Sequence, residues 1–255
     1  MIGHSKNFWN FSVGCLMNLK DFSDASDVCW PPIKKFKMGP WTIREGGGGG
    51  NRVSATSLSN SNNFLETDIV LAETAMKTLG QPYIFRIGKE EIKLDLTLEK
   101  LGYNIVTPSF IYGCDIDRVS NFDIPPITTF NVWPPLEIMK KIWTEGGMSE
   151  NRLSVMQRSK GEKTTILGRA SNKVAGCAFV SIYNGISMVH SVFVHPNFRL
   201  KGLGRYMLYK SAQWAKERGS SYITLQVTEQ NKGARSLYSN LGMEVIGSYH
   251  YRVKF

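Results

Sequence analysis

The chain has no apolar run approaching the roughly 20 residues that a membrane-crossing helix needs, which excludes a helical membrane span. Its short apolar patch at residues 11–17, FSVGCLM, has neither a basic flank nor a small-residue cleavage site. It does not read as a secretory leader, and a cytoplasmic setting is expected. Cysteine is scarce. Cys15, Cys29, Cys114 and Cys177 are scattered with no CxxC spacing, the pattern of buried free thiols rather than of a zinc site or a disulfide framework. No metal is expected. Acidic residues are thin in one half only: residues 1–125 carry 13 Lys and Arg against 14 Asp and Glu, whereas residues 126–255 carry 18 against 7. The second half therefore holds the excess behind the net charge of +10. Such a surplus suits a polyanionic ligand or a nucleic acid, and scattered solubilising lysines account for it as well. The interleaved aromatic and basic patches of nucleic-acid-binding modules are missing, which ranks nucleic acid last among the partners considered.

What is present is an ordinary globular composition, 42% hydrophobic and 20% charged, at a length that suits one large domain or two of roughly 125 residues. Pro125, Pro126, Pro134 and Pro135 break regular structure ahead of a helical run from about Pro135 to Glu145. A domain junction is expected there, giving units 1–125 and 126–255. The first half reads as two strand-like segments around the glycine run Gly46–Gly50, then helix (66–80), strand (82–88), helix (90–102) and strand (103–116). A phosphate loop should feed a helix through a lysine and a hydroxyl, and the NRVSA that follows the glycines reads as another strand, so a flexible hairpin connection is expected. The segment before Trp41 is rich in Ser, Asp and Asn and reads as partly mobile or wrapped around the domain.

The second half is more regular. After the helix near Pro135 come a short helix near residues 150–159 and strands at 163–170, 173–183 and 185–194, separated by Ser-Asn and Asn-Gly turns that predict an antiparallel meander. A helix follows, with Leu203, Met207, Trp214 and Ala215 on its apolar face. Next comes a strand with Ile223, Leu225 and Val227 on one face, then a helix with Ala234, Leu237, Tyr238 and Leu241 at i, i+3, i+4, i+7, and a closing strand. The fold class expected is mixed α/β, with helices packed against curved, mostly antiparallel sheets.

The turn between the Val194 strand and the following helix carries the chemistry. A helix start leaves unpaired N–H groups and the positive end of the macrodipole facing out. Glycines at 202 and 204 let a bulky phosphate approach the backbone, and Arg199, Lys201 and Arg205 add charge around the rim, a combination suited to a diphosphate. Many strand-to-helix turns look similar, and a purely structural turn accounts for this one in isolation.

The run Arg199-Leu200-Lys201-Gly202-Leu203-Gly204 resembles the R/Q-x-x-G-x-G/A motif of the GNAT superfamily, the Gcn5-related N-acetyltransferases. Downstream, NKGARSLYSNLGM resembles the second signature of that superfamily, with Asn231, Ala234, Tyr238 and Gly242 in the expected order. The resemblance covers roughly residues 130–255. It implies two GNAT-like domains in tandem: an intact one at 126–255 with splayed central strands, and a degenerate companion at 1–125, where the phosphate motif is missing. It further implies acetyl-CoA as cosubstrate, held by Phe193, Val194, residues 199–205, Asn231, Ala234 and Tyr238, with a backbone N–H near Phe193 or Val194 polarising the thioester carbonyl. Its acceptor is an amine, on a small molecule or a peptide.

Two proton transfers accompany such a reaction. An alkylamine with pKa about 10.4 is neutral in only about one part in a thousand at pH 7, and a departing thiolate with pKa about 8.5 benefits from an acid. Tyr238 matches the superfamily's tyrosine acid, and its place in an apolar stripe also suits a plain core tyrosine. The strand before the arginine motif has no carboxylate. Its His190 lies in HSVFVHPNFR, which is similar to arylalkylamine N-acetyltransferases, where an imidazole assists deprotonation. By alternation His190 shares a face with Val192 and Val194, so a core histidine is the competing reading. His195 suits a positioning or surface role, and His250 could line the acceptor pocket with Tyr249 and Tyr251. The function expected is direct acyl transfer in a ternary complex; the alternative is a non-catalytic acyl-CoA-binding sensor or scaffold.

Overall fold

The computed structural model describes residues 19–59 and 63–254. The 11–17 patch and Cys15 lie outside them. In chain order the elements are α1 (Leu19–Cys29), β1 (Lys34–Met38), β2 (Trp41–Glu45), α2 (Asn51–Ser54), β3 (Ser57–Leu58), α3 (Glu66–Thr78), β4 (Tyr83–Gly88), α4 (Ile92–Lys100), β5 (Asn104–Asp115), α5 (Asp117–Ser120) and β6 (Thr129–Val132). They continue with α6 (Glu137–Glu145), α7 (Glu150–Arg158), β7 (Glu162–Ala170), β8 (Lys173–Tyr183), β9 (Ile186–Val194), α8 (Leu203–Lys216), β10 (Tyr222–Thr228), α9 (Lys232–Asn240) and β11 (Glu244–Lys254). The class is mixed α/β. β1, β2 and β3 form a small antiparallel sheet, and the other eight strands form one sheet in the order β4-β11-β5-β10-β9-β8-β7-β6.

The expected junction at residues 125 and 126 falls in an irregular stretch between α5 and β6, yet the large sheet runs straight across it. β5, from the first half, pairs antiparallel with both β10 and β11, and β4 pairs antiparallel with β11. Two strand-helix-strand units, β4-α4-β5 and β10-α9-β11, are thus interleaved, each placing its second strand between the two strands of the other. Their helices end alike. Gly102 (φ 83°) and Gly242 (φ 77°) adopt the left-handed conformation one residue past the last turn. The next amide then bonds back to the helix, Tyr103 N–H to Leu98 O at 3.0 Å and Met243 N–H to Tyr238 O at 3.1 Å.

The meander β7-β8-β9 forms as its turns dictate, with Ser171, Asn172, Asn184 and Gly185 all at positive φ. It is covered on both faces, and its alternation records this. Ile166, Ala178 and Val180 face a core with Leu203, Met207 and Ala212 of α8, while Leu167, Cys177 and Phe179 face one with Met139 and Trp143 of α6, Val155 of α7 and Trp30. A third core gathers Trp41, Ile69, Met76, Phe85, Leu94 and Tyr103 around α3, α4 and β4.

Several local expectations are corrected. The NRVS after the glycines is one turn of helix, α2, not a strand. The glycine run is not a loose hairpin but a packed loop: a Cβ on Gly46 would lie 2.0 Å from Ser54 Oγ, on Gly47 2.3 Å from Ile33 Cδ1, and on Gly49 2.7 Å from Val155 Cγ2. The polar segment before Trp41 contributes α1 and β1, fixed by Arg44, which is buried and bonds Asp27, Ala55 O and Ser57. Burial alone would raise the Asp27 carboxyl; Arg44 and then Lys35 overcome it and hold the group below its ordinary value.

Candidate active site

Among the described residues, the pairing of β9 with β10 is the one parallel pairing between strands of the large sheet, and it is short. It runs from Ile186↔Tyr222 to Val189↔Leu225 and stops, although β9 continues to Val194 and β10 to Thr228. The two strands part at His190 and Gln226. On its other edge β9 stays paired to β8 through a bulge between Cys177 and Phe179, where Ser191 takes φ 53° and its carbonyl accepts from Trp143 Nε1 at 2.8 Å. The bulge shifts the alternation by one residue. Val192 and Val194 pack towards α8, whereas Phe193 packs with the α6 and α7 core and the His190 ring lies against Trp30 and Phe179. The expectation that His190 shares a face with the two valines is corrected accordingly.

The chain leaves β9 through His195, whose N–H bonds Ala175 O at 2.9 Å. One residue earlier, the Val194 amide points to the opposite edge, into the gap between the parted strands. Phe193, by the same alternation, turns its amide back towards β8. The His195 Nδ1 accepts from Asn197 N–H at 3.4 Å and caps a single 3₁₀ turn, Pro196–Phe198. Arg199 Nε donates to Val194 O at 2.9 Å, and Lys201 Nζ reaches Asn197 O at 3.4 Å, so both charges brace the turn they flank. Leu200 is fully exposed at φ 60°, and Gly202 caps α8 at φ 83°. The first bond into α8 is Tyr206 N–H to Gly202 O, which leaves the amides of Leu203, Gly204 and Arg205 outside the helical ladder. Gly204 lies where three elements meet: a Cβ there would sit 3.2 Å from Leu237 of α9 and 3.9 Å from Val194. Asn231 caps α9, its Oδ1 accepting from Ala234 N–H at 3.1 Å. Tyr238, one turn beyond Ala234, is 5% exposed and packs edge-on to Tyr112 at 5.6 Å. Burial, and then Tyr112, push its phenol well above the ordinary range, so it stays protonated.

The structure therefore gathers Val194, the 199–205 turn and the start of α9 around the gap, and turns Phe193 away from it. It does not bring His190 there. His190 is buried, and its Nδ1 lies 2.8 Å from Arg52 Nη1. A guanidinium can only donate, so Nδ1 accepts and the ring proton resides on Nε2, which is itself buried without a partner. Burial, and then the charge of Arg52, lower its proton affinity well below the usual histidine value. With its lone pair engaged, His190 is a holder of Arg52, and the expected role as base is corrected on that ground.

Beyond His190 lies a cavity of about 340 Å³, lined by Trp30, Gly49, Gly50, Arg52, Thr107, Ser109, Arg152, Gln226 to Thr228, Tyr249 and Tyr251, among others. Neither Asp nor Glu lines it. Tyr249 donates to Gln226 Oε1 at 2.7 Å, and Gln226 Nε2 is buried and unpaired. His250 sits on the other side of β11, bonded to Asp95 at 2.8 Å, and does not reach this cavity with Tyr249 and Tyr251. Arg52 and Arg152 escaped the sequence reading. The one signal was a pattern: GGGGGNRVS at 46–54 and GGMSENRLS at 146–154 each set Asn-Arg after glycines. Cys29, Cys114 and Cys177 are buried free thiols; burial pushes Cys29 and Cys114 up to about 12 and Cys177 higher still, so none is a ready nucleophile.

The sequence pattern of the Acetyltransferase (GNAT) family matches residues 132–243, which span β6's last residue through the close of α9 and so enclose the gap, the glycine turn and Tyr238. Residues 132–243 carry the GNAT pattern. Along nearly all of its length this chain is similar to YobR of Bacillus subtilis, described as an uncharacterized N-acetyltransferase: 28% identical over 250 residues, 93% of this chain and 99% of that protein. Its fold is similar to that of a GCN5-related N-acetyltransferase from Kribbella flavida, with a TM-score of 0.70 at 17% identity over 91% of this chain and 94% of the other. It is also similar to a tandem GNAT protein from the clavulanic acid biosynthesis pathway, with a TM-score of 0.58 at 12% identity over 78% and 74% of the two chains. The protein is a GNAT-family N-acetyltransferase at that general level.

Proposed function

We propose that the protein transfers an acetyl group from acetyl-CoA directly to a primary amine, with no covalent enzyme intermediate, and that residues 126–255 bind the donor while residues 1–125 are a degenerate companion unit. The observation that carries this reading is the parting of β9 and β10 beyond Val189 and Leu225, beside a helix start whose first amides are free. Open strand edges inside a sheet are costly, and an extended amide-bearing chain lying in the gap supplies the missing partners. The free amides of Leu203, Gly204 and Arg205 suit the pyrophosphate, with Arg199, Lys201 and Arg205 around it. Asn231 and Ala234 open α9 alongside. The donor supplies the activated acyl group; the chain's part is to hold it and to place the Val194 N–H against the acyl oxygen, where losing such a donor costs about 3 to 4 kcal/mol. Tyr238 keeps its proton and gives it to the departing sulfur. The interleaved units with matching helix ends support the tandem origin, and the first unit has Leu98 where the second has Tyr238.

A donor titration joined to a turnover assay tests this. In Gly202→Glu a carboxylate enters the phosphate position, and acetyl-CoA binding by calorimetry is lost. Gly202→Asn, which tolerates the left-handed conformation, retains it. Tyr238→Phe binds the donor as wild type does, with turnover down by roughly 100-fold. Undiminished affinity in Gly202→Glu, with the fold intact by circular dichroism, refutes the donor site.

A further inference from the structure

The cavity beyond His190 has a chemical character that its position alone does not require. Two guanidiniums, Arg52 and Arg152, face it with no carboxylate on its walls. The Arg152 guanidinium forms no ion pair or hydrogen bond to any described residue, and the surrounding protein, then the like charge of Arg52, make it hold its proton less tightly than a free arginine. Arg52 is braced by the His190 Nδ1 and lies 5.8 Å over the Trp30 ring, contacts that fix its direction without neutralising it. Among the described residues the two buried arginines, Arg44 and Arg252, are matched by Asp27 and Asp95, whereas the half-buried Arg52 and the exposed Arg152 face no carboxylate in the cavity. Beside the pair, Gln226 Nε2 is buried without a partner, while its Oε1 is tied up by Tyr249. Three donors therefore line one space: Arg152 and Gln226 Nε2 have no acceptor among the described residues, and Arg52 has only the neutral His190 Nδ1. Arg152 is exposed and Arg52 half-buried, so water in the cavity solvates the pair until an anion replaces it, whereas Gln226 Nε2 is buried without a protein partner and gains one only from what enters.

We infer that this cavity is the acceptor site and that the acceptor is a carboxylate-bearing amine, its carboxylate received by Arg52 and Arg152 and its amine turned towards the gap between β9 and β10. This rests on the acetyltransferase reading and names its substrate class. The cavity touches the gap directly, because Gln226 and Val227 of β10 line the one and border the other. At about 340 Å³ it holds a molecule of amino-acid or dipeptide size. A guanidinium pair receives a planar carboxylate through paired N–H donors, and it repels polycationic amines. Arg52 and Arg152 position and select the acceptor; neither takes part in the transfer.

The test is acetyl transfer to matched acceptors, the twenty amino acids and a dipeptide set, each as free acid and as carboxamide, beside spermidine and an aminoglycoside, with acetyl-CoA binding followed in parallel by calorimetry. The expected result is preference for free acids. Arg152→Gln raises KM for the preferred acid by roughly 10- to 100-fold, the worth of a hydrogen bond to a charged group, with kcat and the carboxamide's KM little changed, and Arg152→Lys restores part of the loss. Equal or better turnover of carboxamides or polycations, with donor binding intact, overturns the carboxylate assignment and leaves the acetyltransferase. Donor binding with no free acid acetylated also overturns it. Failure to bind acetyl-CoA at all removes the acetyltransferase reading, and the acceptor class falls with it.

Discussion

His190 illustrates how one side chain changes meaning between sequence and structure. Its residue type and its place on the strand suit a base, but one glycine-free bulge at Ser191 turns the ring away from the valines and onto Arg52. The consequence is measurable. A histidine that stays neutral when folded has a folded pKa below its unfolded value of about 6.5, so stability is full above that pH and is lost as pH falls below it. The slope for one such proton is at most about 1.4 kcal/mol per pH unit. Denaturant titrations from pH 7.5 to 5 should show that loss in the wild type and a flatter profile in His190→Gln, whose side chain does not titrate. A steeper loss in the variant contradicts the buried neutral ring.

At the scale of elements, punctuation did most of the predicting. Caps, turns and apolar periods located α3, α4, α6 to α9, β4, β5 and β7 to β11, because each has a local cause. What failed had none. β6 pairs only with β7 and sits between proline clusters, α5 is a single turn, and α2 exists because a packed glycine loop delivers the chain to it. The glycine turn before α8 was legible for the same reason as the helices, since its requirements are backbone requirements set within a dozen residues. The acceptor cavity was not, because Arg52 and Arg152 meet only through the tertiary fold. The paired helix ends offer a test at this scale. Gly102→Ala and Gly242→Ala each force a side chain into the left-handed conformation and should each cost about 1 to 2 kcal/mol in urea unfolding, as equivalents in a repeated unit. A cost at one site only breaks the equivalence.

For the whole molecule, charge and proline suggested two separable halves, but strand order is a long-range property that neither reveals. β5 lies between β10 and β11, and β11 between β4 and β5. Residues 126–255 expressed alone therefore lack the strand that covers the inner edge of β10, exposing Leu225 and Val227 along an open edge. That fragment should be aggregated or non-cooperative in unfolding, and co-expression with residues 1–125 should recover a soluble complex that unfolds in one transition. A monomeric fragment with a sharp transition of its own refutes the interdependence.

The interleaving also ties the sheet to the cavity. β4 and β5 both take β11 as a neighbour, and that same strand carries Tyr249 and Tyr251 of the acceptor cavity. The sheet of the first half is therefore complete only once β11 docks, and the same docking closes a wall of the cavity. A molecule whose β11 is detached has neither a finished sheet nor a finished cavity.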